Sequence, residues 1–172
     1  SQIVNAMKAY MYLDQAPLLE VDVHEGLEST LVILQHRLKK GVTIRREYSA
    51  SLPRIEAYAS ELNQVWTSII DNAVDAMNGR GEIVLRTYEE DRHVVVEITD
   101  DGPGIPEGIQ PRIYEPFFTT KPPGRGTGLG LHISRDIIAN RHHGQLLVES
   151  KPGRTKFKVI LPIQMRGDGN HD

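Results

Sequence analysis

Apolar residues recur at helical spacing near the start of the chain and again after a short break. The first pattern joins Ile3 to Met11, and Pro17 ends it. The second follows Asp22, whose side chain suits a helix N-cap, and stops at Gly41. Its apolar stripe is formed by Leu27, Leu31, Leu34 and Leu38. These patterns predict two amphipathic helices before any strand.

Two further helical patterns lie later in the chain, at 60–77 and 127–142. The one at 60–77 has a single apolar face made of Leu62, Val65, Trp66, Ile69, Ala73 and Ala76. Between and after these helices, residues alternate between apolar and polar, which predicts strands at 42–48, 55–58, 82–89, 93–99, 145–150 and 155–162. Because the strands come mostly as hairpins, the sequence predicts an α+β, two-layer α/β sandwich. Its sheet is mixed but mostly antiparallel, with helices on one face.

Composition narrows the class of protein. The chain has 172 residues, a net charge of −3 and no cysteine. We expect no nucleic-acid partner, because no basic block is present, and no disulfide or thiolate metal site. No apolar run approaches the roughly 20 residues that span a bilayer, so we expect this fragment to make no membrane contact and to be cytoplasmic. Residues 101–126, rich in proline and glycine, predict a long functional loop.

Strand parity brings two polar side chains to one place. Val94, Val96 and Ile98 share a face with Asp100, and Phe157 shares a face with Thr155. Both polar residues therefore end an inward-facing row. Asp100 either accepts a hydrogen bond from an exocyclic amine such as that of adenine, or caps its own turn. Thr155 either joins it at the base of a pocket or only starts a strand.

The remaining candidates lie on the third helix and in the long loop. Ser68 and Asn72 are four residues apart, so they lie one above the other on the helix. The amide oxygen of Asn72 is suited to Mg²⁺, although a solvated helix shoulder is the alternative. Lys121 and Arg125 could each reach a phosphate, or be solvated loop charges. The alternating glycines 126, 128 and 130, running into a helix, are suited to cradle phosphate.

The order of these motifs closely resembles the catalytic and ATP-binding domain of bacterial sensor histidine kinases, within the superfamily of gyrase, Hsp90 and MutL ATPases. The resemblance covers roughly residues 22–162. Its N box corresponds to residues 61–77, its G1 box to 100–104, its F box to 115–121 and its G2 box to 126–131. The Phe-Phe-Thr-Thr-Lys form of the F box separates the chain from the gyrase, Hsp90 and MutL relatives.

The resemblance implies a function and a set of site residues. It implies transfer of the γ-phosphoryl group of Mg²⁺-ATP to a histidine, with Ser68, Asn72 and Lys121 in catalytic positions and Asn72 on the metal. The residues between the G1 and G2 boxes would form an ATP lid. Nucleotide contacts are implied for Asn72, Asp100, Gly102, Gly104, Ile105, Phe118, Thr119, Lys121, Arg125, Gly126, Thr127, Gly128, Leu129, Gly130, Leu131 and Thr155.

The chain departs from the family at two places. Ser68 stands where the family usually has Asn, or Glu or His in relatives, and the second glycine of the family's closing Gly-x-Gly-Thr-x-Phe pattern is missing before Thr155. Serine cannot act as a base at neutral pH without help. The alternative function is therefore a nucleotide-binding module with weakened or no catalysis. An Hsp90-type ATPase is disfavoured because the Glu is missing.

The resemblance also implies how the chain divides into domains and which partners it binds. We expect residues 1–17 to end a dimerisation helix, 18–163 to form the catalytic domain, and 164–172 to be a disordered tail. The phosphoacceptor histidine would lie outside this chain, on a dimerisation domain of a homodimer, with a response regulator as a further partner. The His24-Glu25 pair is predicted to be a surface helix cap, and His142 and His143 to cap the fourth helix, where imidazole suits the dipole.

Overall fold

The computed structural model describes residues 17–121 and 130–165. A five-stranded sheet lies at its centre, built from β2 (Val42–Glu47), β4 (Gly81–Glu90), β5 (His93–Asp100), β6 (Gln145–Lys151) and β7 (Arg154–Pro162). The strand order is β2-β4-β5-β7-β6, and only the β2–β4 pair is parallel. The predicted mixed, mostly antiparallel sheet is confirmed.

The helices supply the second layer. They are α1 (Val23–Ile33), α2 (Gln35–Leu38), α3 (Ala59–Ala76) and α4 (Gly130–Asp136), with a 3₁₀ helix at Gln110–Arg112 and a π-helix at Ile137–Arg141. The Asp22 carboxylate accepts the His24 N–H at 2.9 Å, which confirms the predicted cap of α1. The leucine stripe of α1 and α2 and the apolar face of α3 join the inward strand residues in one core. The predicted two-layer α+β fold is therefore confirmed.

Several local features differ from the sequence expectations. A short strand, β1 (Leu19–Val21), pairs antiparallel with β3 (Ile55–Ala57) in a separate two-stranded sheet that the pattern did not predict. Ala76, predicted in the core, is exposed. It lies at the end of α3 and lines a cavity rather than the core, whereas Ile70 and Val74, which the predicted face did not include, are buried.

The two histidine interpretations need correction. His24 is half-buried rather than a surface cap: its ring stacks on Tyr48 at 4.2 Å, and its Nε2 lies 2.8 Å from Thr87 Oγ1. His142 does lie at the C-cap of the π-helix, but it is fully buried. Burial lowers its pKa, although its hydrogen bond to the Ile137 carbonyl acts in the opposite direction, so the fold disfavours the charged ring that would interact with the helix dipole. The predicted capping contact is present, since its Nδ1 donates to the Ile137 carbonyl at 3.0 Å, and its Nε2 also accepts the Tyr58 N–H at 3.1 Å.

The sheet register brings the two predicted pocket strands together. Asp100, the last residue of β5, pairs directly with Thr155 near the start of β7. Thr155 pairs in turn with Ser150 across the β6–β7 hairpin, which turns through Pro152 and Gly153. The loop that follows β5 lies on this hairpin, because the Gly153 N–H donates to the Pro103 carbonyl at 3.2 Å. The end of the sheet thus positions both the pocket floor and the start of the long loop.

Candidate nucleotide site

A cavity of about 620 Å³ lies between α3, the end of β5 and the long loop. A volume of this size is typical of a small-molecule site. Most of the site residues expected from sequence line it: Ser68, Asn72, Asp100, Gly104, Ile105, Phe118, Thr119, Lys121, Gly130, Leu131 and Thr155. Arg125, Gly126, Thr127, Gly128 and Leu129 lie outside the described residues.

The floor of the cavity is formed by Asp100 and Thr155, each only 4% exposed. The Asp100 Oδ1 accepts the Gly102 N–H at 2.9 Å, so the turn-capping interpretation of this residue is correct. The residue nevertheless lines the cavity as well. No donor among the described residues contacts its second oxygen, Oδ2. Asp100 therefore serves its own turn with one oxygen and can face a ligand with the other.

Burial raises the pKa of Asp100, while the Gly102 N–H acts in the opposite direction. A buried carboxylate gains more free energy from a hydrogen bond to a ligand than an exposed carboxylate does. Its desolvation has already taken place during folding, so ligand binding adds little further cost. Gly102, two residues after Asp100, has no room for a side chain. A Cβ on Gly102 would lie 2.9 Å from Asp100 Oδ1 and 3.2 Å from the Ala76 carbonyl oxygen.

Charged residues converge at a second, more exposed part of the cavity lining, which we call its mouth. The Lys121 Nζ lies 2.6 Å from Asp75 Oδ2 and donates to Asn72 Oδ1 at 3.3 Å. The other oxygen of Asp75 accepts from Arg37 Nη2 at 2.6 Å, and Arg37 also pairs with Asp71. Burial opposes ionisation of Asp75, but the hydrogen bonds from Lys121 and Arg37 outweigh it and lower its pKa.

Asp75 was missed in the sequence analysis, although a signal was present. It follows Asn72 by three residues, which places both on one side of α3. Lys121 was expected near phosphate, and nothing in the sequence alone indicated which acidic residue it meets, because the pair is separated by 46 positions along the chain (121 − 75). The lysine closes the mouth of the cavity over Asn72.

Ser68 and Gly130 are in close contact. A Cβ on Gly130 would lie 2.6 Å from Ser68 Oγ, so the start of α4 passes directly over this serine. Gly130 is the one residue of the glycine run that the described part of the chain includes. Its lack of a side chain permits the approach of the backbone to α3, which is the packing role expected of such a glycine.

The F box presents its two phenylalanines differently. Phe118 lines the cavity and carries the Arg112 guanidinium 4.4 Å above its ring. Phe117 is 73% exposed and has a φ of 66°, which a residue with a side chain seldom adopts. The chain changes direction at Phe117, and beyond it Phe118 lines the cavity and Lys121 contacts Asp75 of α3.

Comparison with known proteins agrees with this geometry. A sequence profile of the histidine kinase-, DNA gyrase B- and HSP90-like ATPases matches residues 57–165. The chain belongs to this ATPase family. Membership of this family implies ATP as the nucleotide of the chain.

The similar proteins are sensor kinases. The chain is 39% identical over 155 residues to the signal transduction histidine-protein kinase AtoS of Escherichia coli strain K12, covering 87% of this chain and 24% of AtoS. It is 35% identical over 156 residues to the sensory histidine kinase/phosphatase NtrB of Vibrio alginolyticus, covering 83% of this chain and 43% of NtrB. The chain thus spans less than half the length of these curated relatives.

Solved structures give the same result. The nucleotide-free catalytic domain of the histidine kinase ThkA superimposes with a TM-score of 0.79 at 30% identity, covering 86% of this chain and 97% of that domain. ThkA in complex with the response regulator protein TrrA superimposes with a TM-score of 0.74 at 25% identity, covering 94% and 47%. Within residues 17–121 and 130–165, no helix is both long and apolar enough to cross a bilayer.

Proposed function

We propose that this chain binds Mg²⁺-ATP and transfers the γ-phosphoryl group to a histidine that lies outside it. The observation that carries the proposal is the two-ended cavity. A buried acceptor and a hydroxyl lie at its floor, while a lysine and an amide oxygen lie at its mouth. An adenine base and a triphosphate have this same division between an uncharged, hydrogen-bonding end and an anionic end.

At the floor, the Asp100 Oδ2 accepts a hydrogen bond from the adenine 6-amino group. Thr155, its cross-strand partner, supplies the second polar contact with the base. Ile105 and Leu131 provide apolar walls on which a purine can pack. Because Asp100 is already buried and held by Gly102, it needs little reorganisation to meet the base.

At the mouth, Asn72 and Lys121 hold the triphosphate. The residues fit a magnesium ion, since the Asn72 amide oxygen points to a cation already, the Lys121 ammonium at 3.3 Å. Mg²⁺ takes most of its ligands from phosphate and water, so one amide oxygen is a sufficient protein contribution. A bound Mg²⁺ would neutralise charge on the phosphates. Lys121, still tethered to Asp75, would lie beside the terminal phosphate.

Chemically, the chain's own residues position the reactants and stabilise charge. An imidazole nitrogen attacks the γ-phosphorus, the bond from that phosphorus to the bridging oxygen breaks, and ADP leaves while the imidazole loses its proton. Lys121 and the backbone N–H groups of the glycine run hold the phosphate oxygens as charge moves to the leaving group. Gly130 lets the start of α4 lie against Ser68, next to this reaction centre.

The partners follow from the same proposal. The acceptor histidine would belong to a dimerisation domain, and the phosphoryl group would pass on to a response regulator. ThkA, which shares this fold, forms such a complex with TrrA. A cytoplasmic location, where ATP and response regulators are available, belongs to this proposal as well.

The decisive experiment supplies Mg²⁺-ATP labelled on the γ-phosphate to a protein that also contains the region expected to precede this chain. Phosphate that appears on the protein, is lost in acid and is stable in base supports a phosphohistidine. The Asn72→Ala variant should abolish the label, whereas Asn140→Ala, on the exposed side of the π-helix, should keep it.

Two results would contradict the proposal. Tight ATP binding with no acid-labile phosphate would leave a nucleotide-binding module. Continuous release of inorganic phosphate without any phosphohistidine would indicate an ATPase of another kind.

A further inference from the structure

Ser150 lies behind the floor of the nucleotide cavity and contacts both the floor and the long loop. It stands near the end of β6 and does not line the cavity itself. Its Oγ accepts the Ile105 N–H at 2.7 Å and lies 2.8 Å from Thr155 Oγ1. A third, longer contact of 3.4 Å joins it to the Arg154 carbonyl oxygen.

Counting protons leaves two arrangements of these hydrogen bonds. A serine hydroxyl has one proton and two lone pairs. One lone pair of Ser150 is used by the Ile105 N–H. Its proton can go to Thr155 or to the Arg154 carbonyl. The 2.8 Å separation from Thr155 is the usual hydroxyl hydrogen-bond length, and either hydroxyl can be its donor. If Thr155 donates, the Ser150 proton has only the Arg154 carbonyl at 3.4 Å; if Ser150 donates to Thr155, its proton has an acceptor at the usual length.

This direction determines what Thr155 shows to the cavity. In the arrangement in which Ser150 donates to Thr155, the Thr155 proton is free to point into the cavity as a donor. Asp100, its cross-strand partner, is an acceptor. The floor therefore presents an acceptor beside a donor. The edge of a 6-aminopurine has the complementary pair, an amino donor beside the acceptor N1, whereas a 6-oxopurine has the reverse.

We propose that Ser150 donates to Thr155 and is thereby a positioning residue for base selection: it directs the Thr155 proton into the cavity, so that the floor accepts a 6-aminopurine and rejects a 6-oxopurine. This inference rests on the proposed binding of ATP and adds the residue that sets its base specificity. It predicts a change in selectivity rather than a general loss of binding.

The loop remains anchored when the Ser150 hydroxyl is removed. The Ile105 carbonyl still accepts from Gln110 Nε2 at 2.8 Å, and the Gly153 N–H still donates to the Pro103 carbonyl at 3.2 Å. A Ser150→Ala variant therefore loses the orientation of Thr155 and one of several loop contacts. We expect its fold to persist.

The test measures dissociation constants of Mg²⁺-ATP and Mg²⁺-ITP by calorimetry for the unchanged chain and for variants. ITP carries a 6-oxopurine and the same triphosphate. The unchanged chain should prefer ATP. Ser150→Ala should weaken ATP by about 10-fold, the effect of one hydrogen bond, and ITP by less than about twofold. Ser150→Thr keeps the hydroxyl and should restore the ratio.

Controls separate this role from a structural one. Ser51→Ala, in an exposed turn, should leave both constants unchanged. If Ser150→Ala is unfolded by thermal melting, Ser150→Cys, with a weaker donor, should show a smaller shift of the ratio in the same direction.

Equal weakening of ATP and ITP, or an unchanged ratio in a chain that prefers ATP, would overturn the inference and leave the proposed function standing. Failure of the unchanged chain to bind ATP at all would overturn both.

Discussion

Gly104 lies where the loop after β5 packs against the β6–β7 hairpin. Its φ is +91°, in the region that side chains disfavour. A Cβ added there would lie 2.4 Å from the carbonyl oxygen of Lys151 and 2.9 Å from its carbonyl carbon. Both neighbours are backbone atoms of a paired strand, so they cannot rotate away. Gly104→Ala therefore combines backbone strain with a collision.

The expected cost can be divided into these two parts. The left-handed backbone costs an alanine about 1–2 kcal/mol. Forcing a methyl group into a packed site costs a further ~1–3 kcal/mol. We therefore expect Gly104→Ala to lower the free energy of unfolding by about 2–5 kcal/mol. In a domain of this size that is a fall in Tm of roughly 4–20 °C.

Two other glycines of the same chain are matched controls. Gly153 has a φ of +86° but nothing within 4 Å of an added Cβ, so Gly153→Ala measures the strain alone. Gly108 has neither a left-handed φ nor a close neighbour, so Gly108→Ala should be neutral or slightly stabilising. Urea titration of the three variants would give the two contributions by difference.

Nucleotide binding gives a second measure. The Cβ collision pushes residue 104 away from the hairpin, and Ile105, the next residue, both lines the cavity and bonds to Ser150. Gly104→Ala should weaken ATP binding by about 10-fold or more at a temperature where it is still folded, since one cavity wall and its hydrogen bond move together. Gly153→Ala should do so far less. Equal unfolding free energies for Gly104→Ala and Gly153→Ala would refute the argument from the collision.

Three further predictions concern the site and the core. Asp100→Asn keeps an oxygen for the Gly102 N–H but can turn an amide donor toward the base, so calorimetry should show ATP binding weaker by about 30-fold or more. The Tm of this variant should not fall, since burial penalises the charge that is removed, and a fall in Tm that matches the loss of binding would contradict a role in base recognition. Ser68→Asn, with a longer polar side chain beside Gly130, should raise the phosphorylation rate by about 10-fold or more at similar ATP affinity, and an unchanged rate would show that serine suffices. Burial lowers the pKa of His142 below its usual value of about 6.5, so on acidification the unfolded chain takes up the proton first, and the stability present above pH 6.5 should fall as the pH decreases below it. The slope of Tm with pH should shrink in His142→Gln and persist in His143→Gln.

Sequence reasoning succeeded for elements whose cause is local. The helix cap at Asp22 and the inward row that ends in Asp100 both depend on residues within one or two turns or one strand. It failed where the cause is remote. The charged form of His142 is disfavoured because α3 and its preceding strand bury it, and its acceptor role depends on Tyr58, 84 positions away. The strand at 55–57 was predicted, but its partner β1 was missed, since a three-residue strand carries almost no pattern of its own.

The residues of the candidate site also fall into those that the sequence indicated and those that only the structure revealed. Asn72, Lys121 and Thr155 were proposed from residue type, parity and the order of motifs, and the structure brings all three to one cavity. Asp75 and Ser150 were not proposed. Each acts through a contact with a residue that is remote in sequence or across a hairpin, and neither residue type is informative by itself.

By itself, the sequence determined the two-layer fold, the position of the pocket floor and the order of the motifs, because alternation and helical periodicity record which face of each element is buried. Only the tertiary structure decided which charges meet. Lys121 lies on Asp75 and Asn72, and Ser150 lies between Ile105 and Thr155, because the loop after β5 folds back over α3 and the hairpin. The direction of a hydrogen bond and the partner of a charge depend on distances between separate elements, and no local pattern encodes those distances.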